Sequence, residues 1–193
     1  MRITGGSARG RQLIRPKAGW RFIRPTGDRV REALFSILSN EVVGSTVLDL
    51  YAGTGSLGLE ALSRGAGTAV FVDQSRQALE LIHGNLKNCF PVANASLQQF
   101  NLSRTDSIER LHRKISVQLL FDIIFLDPPY EKKLAEQTLA MIERGTLLKE
   151  NGFVVAEERA SEHLAEQYGT LTLVTHRSYG ETGLWLYRNI EHS

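Results

Sequence analysis

The apolar run Phe121-Asp122-Ile123-Ile124-Phe125-Leu126 stops at Asp127-Pro128-Pro129-Tyr130. Neither proline can donate a ladder hydrogen bond, so a strand must end there. What is left at its carboxyl end is a carboxylate, two proline carbonyls with no N–H of their own, and an aromatic ring. Such a group can accept hydrogen bonds from an amino group on a flat ring and stack on that ring. The carboxyl ends of strands are also where open α/β sheets take their ligands. Alone, the four residues fit a strand-ending turn with a surface tyrosine better, so their meaning depends on what accompanies them.

A second motif precedes them: Asp49-Leu50-Tyr51-Ala52-Gly53-Thr54-Gly55-Ser56-Leu57-Gly58. It reads as a strand, a glycine loop and a helix start. The glycines permit a tight turn and let a ligand approach the backbone. Asp73 stands 24 residues after Asp49, where an acid reaches ribose hydroxyls in nucleotide-binding sheets. A Gly-x-Gly-x-x-Gly spacing by itself suits a nicotinamide enzyme as well. Asp49 argues against that, because a carboxylate ahead of the glycines would repel a pyrophosphate at the helix N-terminus. It suits a cationic ligand carrying an ammonium and a sulfonium, as S-adenosylmethionine does. The plainer reading of Asp49 is a strand-end acid that caps nearby backbone N–H groups.

These motifs need elements to hold them. Residues 46–51 read as a strand, 57–64 as a helix that Gly65 can end, 68–72 as a strand closing on Asp73, and about 75–88 as a helix. A weaker strand over 95–100 and a helix over about 103–114 come next. After Phe121–Leu126 follow a helix over 132–143, a strand over 152–157 and a short helix over 161–168. Two β-rich segments, 171–176 and 183–188, form an antiparallel hairpin through Ser178-Tyr179-Gly180-Glu181. Alternating strands and helices imply an α/β fold, a mostly parallel sheet with helices on both faces, and the hairpin adds an antiparallel edge. Tyr179 falls near the mouth of a site built on such a sheet.

Residues 1–26 are different. Glycines 5, 6, 10 and 19 interrupt them, and residues 2–4 and 11–14 read as a short β-hairpin or arm. Val30, Ala33, Leu34, Ile37 and Leu38 then mark one apolar helical face, with Thr26 or Asp28 as N-cap and Arg29 and Arg31 on or beside the open face. Basic residues crowd this end. Arg2, Arg9, Arg11, Arg15, Lys17, Arg21, Arg24, Arg29 and Arg31 face one acid, Asp28, although the whole chain carries a net charge of only +2. That end suits a polyanion, or else is a solvated basic arm. A positive helix start is poor dipole complementarity, which favours a functional reason for Arg29 and Arg31.

The remainder narrows the class. With 193 residues, 42% hydrophobic and 23% charged, the composition is that of a globular protein with one sizeable core. The single cysteine, Cys89, excludes an intrachain disulfide framework and fits a reducing cytoplasm. No apolar run approaches membrane-spanning length and no signal-peptide pattern opens the chain. His83, His112, His163 and His176 lack metal-ligand spacing and read as surface or capping residues, and Cys89 as a small, partly buried side chain. No metal is expected.

Asp49 to Gly55, Asp73 and Asp127 to Tyr130, in this order, resemble the motifs of class I S-adenosylmethionine-dependent amino-methyltransferases. Arg2-Ile3-Thr4-Gly5-Gly6-Ser7-Ala8-Arg9-Gly10-Arg11 and Arg24-Pro25-Thr26-Gly27-Asp28-Arg29-Val30-Arg31-Glu32 narrow the resemblance to the bacterial RsmD family, over nearly the whole chain. Gly27 departs from it, standing where the family often has a second threonine, and the stretch after Asn94 follows it less closely. The resemblance implies a Rossmann-like fold with a seven-stranded sheet, an N-terminal hairpin extension over 1–26 and a methyltransferase domain over 27–193. It implies methyl transfer from S-adenosylmethionine, leaving S-adenosylhomocysteine, to the exocyclic N2 of one guanine in 16S ribosomal RNA or the small ribosomal subunit. The implied cofactor residues are Asp49, Tyr51, Ala52, Gly53, Thr54, Gly55, Asp73 and Gln74, with Phe100 or Asn101 near the adenine. Asp127, Pro128, Pro129 and Tyr130 hold the base, and Arg9, Arg11, Arg24, Thr26, Arg29 and Arg31 hold RNA. The expected protein is a cytoplasmic monomer.

Guanine presents two adjacent donors, N1–H and N2–H, which one carboxylate such as Asp127 can take together; adenine presents a donor beside an acceptor. That leans toward guanine. The alternatives are a DNA adenine-N6 methyltransferase, which needs a target-recognition region that 193 residues barely accommodate, and a non-catalytic RNA-binding assembly factor. A nicotinamide oxidoreductase is a further one, disfavoured by Asp49.

Overall fold

The strand leading into the glycine loop, β1 (Thr46–Leu50), has Val47, Leu48 and Leu50 all at 0% exposure. A strand covered on both faces needs a near-continuous apolar run and parallel neighbours. The computed structural model describes residues 1–16, 27–115, 118–130 and 133–190. Arg24 and Thr26, expected to touch RNA, lie outside the described residues, as does all of the 17–26 part of the expected arm. The chain forms two compact units, Met1–Gln99 and Phe100–Ser193.

In the first unit, helix α1 (Asp28–Leu38) and a 3-10 turn precede β1. Then come α2 (Ser56–Ser63), β2 (Thr68–Asp73), α3 (Arg76–Cys89) and β3 (Asn94–Gln99). The strands lie in the order β3-β2-β1, all parallel, with Leu50 opposite Val72 and Asp73 opposite Gln99. The N-cap of α1 is Gly27, with no side-chain cap, rather than Thr26 or Asp28; Asp28 is instead the first helical residue, where a carboxylate suits the dipole. Ser75 caps α3 by accepting the Ala78 N–H.

The expected N-terminal hairpin is a single antiparallel bridge, Arg2 with Gln12, reinforced by Ile3 N–H to the Arg11 carbonyl and Gly10 N–H to the Ile3 carbonyl. Ile3, Ala8 and Leu13 are buried in one core with Leu59, Leu62 and Ile82. The segment is also fastened by its backbone: Thr4 and Gly5 N–H donate to Glu60, and Ala8 N–H to Ser63 Oγ.

In the second unit, α4 (Ser107–Ile115), β4 (Phe121–Leu126), α5 (Leu134–Arg144) and β5 (Leu148–Arg159) are followed by β6 (Gln167–Tyr168), β7 (Leu171–Tyr179) and β8 (Thr182–Asn189). The order is β4-β5-β8-β7-β6, parallel between β4 and β5 and antiparallel beyond. Ile123 to Leu126 are fully buried, as their run predicts. The β7–β8 hairpin turns at Gly180, whose φ of 62° a glycine adopts without strain.

Three expectations need correction. The described strands number eight, not seven, because β6 adds a short edge. The helix expected over 161–168 does not form. Its backbone groups have other partners: the Ala165 carbonyl accepts from Tyr187 Oη at 2.7 Å, its N–H donates to Tyr168 Oη at 3.2 Å, and the Glu166 carbonyl takes the Leu173 N–H at 2.8 Å. A helix this short is marginal on its own, so these tertiary bonds prevail. His112 is also not a surface residue; it is buried, with Nδ1 3.3 Å from Thr146 Oγ1.

Candidate active site

The glycine loop is a backbone device. Leaving β1, the chain takes positive φ at Tyr51 (57°), Gly53 (53°) and Gly55 (73°). Two of these are glycines; for Tyr51 the left-handed conformation costs about 1–2 kcal/mol, which the rest of the loop must offset. Ala52 N–H bonds the Val72 carbonyl at 3.0 Å, pinning the loop to the end of β2. Asp73 completes it: Oδ2 accepts from Gly53 N–H at 2.9 Å and Oδ1 from Ser75 N–H at 2.7 Å. Asp73 remains partly exposed, and a carboxylate has about four acceptor sites, so capacity is left for a vicinal diol.

Asp49 lies beneath this loop, 1% exposed, with Oδ2 accepting the Gly58 N–H at 2.9 Å. It caps an orphan donor in the first turn of α2, as its plainer reading foresaw. Burial pushes its carboxyl up to about 8, against the Gly58 hydrogen bond, and the Asp73 charge raises it further. A buried acid in this state favours a cation that can replace its proton.

Gly58 serves packing. A Cβ there would lie 2.3 Å from Phe71 Cε1 and 3.1 Å from Asp49 Oδ2. Gly58→Ala is therefore expected to destabilise the protein by about 1–3 kcal/mol through overpacking, read as a lower urea midpoint with unchanged slope; an unchanged midpoint would show that Phe71 yields freely.

Other cofactor expectations divide. Thr54 is buried and its hydroxyl donates to Met1 Sδ at 3.6 Å, so its side chain is turned into the unit. Gln74 is exposed at the end of β2, and its carbonyl accepts from Gln99 Nε2 at 3.2 Å. Phe100 and Asn101 open the second unit. The Phe100 ring is faced by Arg110 and Lys114 at 6.0 and 5.7 Å, and Asn101 Oδ1 accepts the Ser103 N–H at 2.8 Å.

In the second unit, the pairing of β4 with β5 ends at Leu126 opposite Ala156. Asp127 then emerges partly exposed, Pro128 is buried, Pro129 is exposed and Tyr130 is half-buried. The Tyr130 hydroxyl donates to Glu157 Oε1 at 2.9 Å, and the Arg159 guanidinium lies 5.8 Å from the ring centroid. Burial, with the Glu157 charge next, pushes the phenol well above its ordinary value. Tyr130 is thus neutral at physiological pH, a ring and a donor rather than a base. The hairpin end is close by: Thr182, paired with Tyr179, hydrogen-bonds the same phenol. Glu157 lies inside β5, two residues before its end and opposite Leu184 of β8; as one acid within a strand it carries no local signal of a role.

The arginines differ in what they can reach. Arg9 and Arg29 are exposed. Arg11 is exposed too, but Nη1 donates to the Asn88 carbonyl at 2.9 Å and lies 3.5 Å from that of Cys89, where a cation complements the C-terminus of α3. Arg31 corrects the expectation of an open-face phosphate contact. It is fully buried, donates to the Arg2 carbonyl and to Asp28 Oδ1, and pairs with Glu60 at 3.7 Å. Acid partners, the buried Glu60 and the partly exposed Asp28, rather than RNA account for its place in the first turn of α1. Among the described residues no group of three or more His, Cys, Asp or Glu could hold a metal ion, and no helix is long and apolar enough to cross a membrane.

Comparison with known proteins gives the same picture along the whole chain. The family model described as Conserved hypothetical protein 95 matches residues 1–188. YlbH of Bacillus subtilis is 37% identical over 188 residues, 97% of this chain and 98% of that protein. Ribosomal RNA small subunit methyltransferase D of Haemophilus influenzae is 34% identical over 189 residues, 98% and 94% of the two chains. The solved structure of Escherichia coli yhhF matches with a TM-score of 0.83 at 31% identity, covering 100% of this chain and 99% of that one. The fold is the expected Rossmann-like α/β sheet with antiparallel C-terminal strands.

Proposed function

We propose that this chain, which belongs to the Conserved hypothetical protein 95 family, the family of ribosomal RNA small subunit methyltransferase D, methylates the exocyclic N2 of one guanine in 16S ribosomal RNA with S-adenosylmethionine. The observation that carries the reading is Asp127-Pro128-Pro129-Tyr130 at the buried end of β4, in a chain that also has the acid-flanked glycine loop. The loop fits that cofactor: it offers backbone without side chains, a partly exposed Asp73 for the ribose, and a buried Asp49 suited to a cation. When bound, S-adenosylmethionine supplies an electrophilic methyl group and leaves as S-adenosylhomocysteine.

The chain's own residues prepare the nucleophile. An aromatic amino nitrogen is weak because its lone pair is delocalised into the ring. Asp127 and the Pro128 carbonyl accept its N–H groups, return density to nitrogen and favour a pyramidal geometry. Tyr130 stacks on the base, worth about 1–3 kcal/mol, which requires the base to leave its stack. As the nitrogen becomes cationic, the Asp127 carboxylate stabilises it and lies where the departing proton is released. Orientation is the other large contribution. Asp127 accepts from both N1–H and N2–H of guanine, which favours guanine over adenine.

Arg9 and Arg29 hold phosphates, with the basic residues of 17–26 beside them in sequence. Arg29→Ala is expected to weaken RNA binding and reduce the salt slope by about 1; an unchanged slope removes Arg29 from the footprint. The protein acts as a cytoplasmic monomer, on free RNA or on the assembled small subunit. The deciding experiment incubates unmodified small-subunit particles and free 16S RNA with labelled S-adenosylmethionine and maps the modified base. Label on a guanine N2 supports the reading; label on another base, or none, overturns it.

A further inference from the structure

Glu157 is the acid that this chemistry leaves unused. It follows Ala156 on β5, and Ala156 pairs with Leu126, the residue before Asp127. The two carboxylates therefore sit at the same level of neighbouring parallel strands, Asp127 one residue past the end of β4 and Glu157 still within β5. Glu157 is 5% exposed, where a glutamate almost never sits unless it is paired. Its Oε1 accepts from the Tyr130 hydroxyl at 2.9 Å. The Thr182 side chain at the start of β8 bonds the same phenol, and Arg159 lies over the ring. Stacking uses only the faces of a tyrosine ring; it does not need the hydroxyl. Yet here the hydroxyl is tied to two strands.

We infer that Glu157 is a positioning residue: by holding the Tyr130 hydroxyl, with Thr182 completing the clamp, it fixes the plane of the ring so that a stacked base presents its amine to Asp127 in one orientation. This rests on the base-binding role proposed for Tyr130. The hydrogen bond suits the task because, at 2.9 Å, it lies within ordinary O–H···O range and anchors the far end of the ring. Without it, a ring following two prolines could turn between staggered rotamers, and a misplacement of about 1 Å can cost on the order of 10²-fold in rate.

The test compares Glu157→Gln, Glu157→Leu, Tyr130→Phe and the Leu/Phe double variant, using methyl transfer to unmodified small-subunit particles, calorimetry of S-adenosylmethionine binding, and thermal melts. Glu157→Leu and Tyr130→Phe are each expected to lose about 10- to 100-fold in kcat, with cofactor affinity unchanged and KM for the particle little altered. The double variant is expected to be no worse than either single, since each breaks the same bond. Glu157→Gln keeps an acceptor and restores most of the turnover. Additive losses, or a Tyr130→Phe variant with wild-type kcat, overturn the inference. If Glu157→Leu does not fold, Tyr130→Phe removes the same bond by deleting one oxygen and decides alone. A wild-type chain that transfers no methyl group overturns the proposed function and this inference with it; a wild type that methylates while the variants are unaffected overturns the inference alone.

Discussion

Asp127→Ala is expected to lower single-turnover methyl transfer on the order of 10²–10³-fold, the loss typical when one preorganised partner of a developing charge is removed, while S-adenosylmethionine still binds. The separation follows from the proposed roles. Asp127 stands one residue past the last paired residue of β4 and belongs to the group proposed to hold the base, whereas the glycine loop and Asp73 are proposed to hold the cofactor. Alanine leaves the fully buried strand Ile123–Leu126 and the Tyr130–Glu157 bond untouched. What disappears is the acceptor for the amine hydrogens and the negative charge beside the nitrogen. Asn at the same position retains one acceptor but places an amide NH2 against the base's own donors, so it is expected to do little better than alanine. Full single-turnover activity in Asp127→Ala would sink the mechanism; loss of cofactor binding would show that Asp127 serves the other half of the reaction.

The second large effect is a dependence on pH that Asp49 imposes. Burial, only partly opposed by the Gly58 N–H, holds its carboxyl up to about 8, against an ordinary value of 3.8. Between those values the folded chain binds a proton that the unfolded chain lacks. Stability therefore falls as pH rises through that window, by at most about 1.4 kcal/mol per unit, and levels off above the folded value. A cationic ligand reverses the preference, since it selects the carboxylate. Affinity for S-adenosylmethionine is expected to rise up to tenfold per unit from about pH 6 to 8 and then to plateau. Asp49→Asn keeps an acceptor for Gly58 N–H and cannot ionise. It should flatten both curves and bind the cofactor weakly at every pH. Urea titrations and calorimetry at matched pH values read the two effects; parallel curves for the wild type and Asp49→Asn would exclude Asp49 as their source.

Much of this site is legible in the sequence because its signals are local. An apolar run ended by two prolines defines β4 and its carboxyl end without reference to any other element. The glycines of the loop are demanded by the chain's own dihedral angles, as positive φ at Gly53 and Gly55 shows. Asp73 is found by its distance along one strand–helix–strand unit. The helix expected over 161–168 failed for the opposite reason: nothing local reveals that Tyr168 and Tyr187 take the backbone groups of Ala165.

Arg31 and Glu157 mark the boundary most clearly. Helical periodicity records where apolar side chains are buried; it cannot record a buried cation whose partner, Glu60, lies 29 residues on in another helix. Nor could it distinguish Arg29, exposed, from Arg31, sealed beneath the N-terminal segment. The sequence by itself determined the carboxyl end of β4, the glycine loop and the candidate acids Asp49, Asp73 and Asp127, because backbone conformation and apolar patterning are written residue by residue. Only the tertiary structure decided that Asp49 is buried with its carboxyl pushed up, that Arg31 belongs to the core and that Glu157 accepts the Tyr130 hydroxyl. Burial and ion pairing depend on which distant groups meet, and a charged residue carries no trace of its partner until the chain has folded.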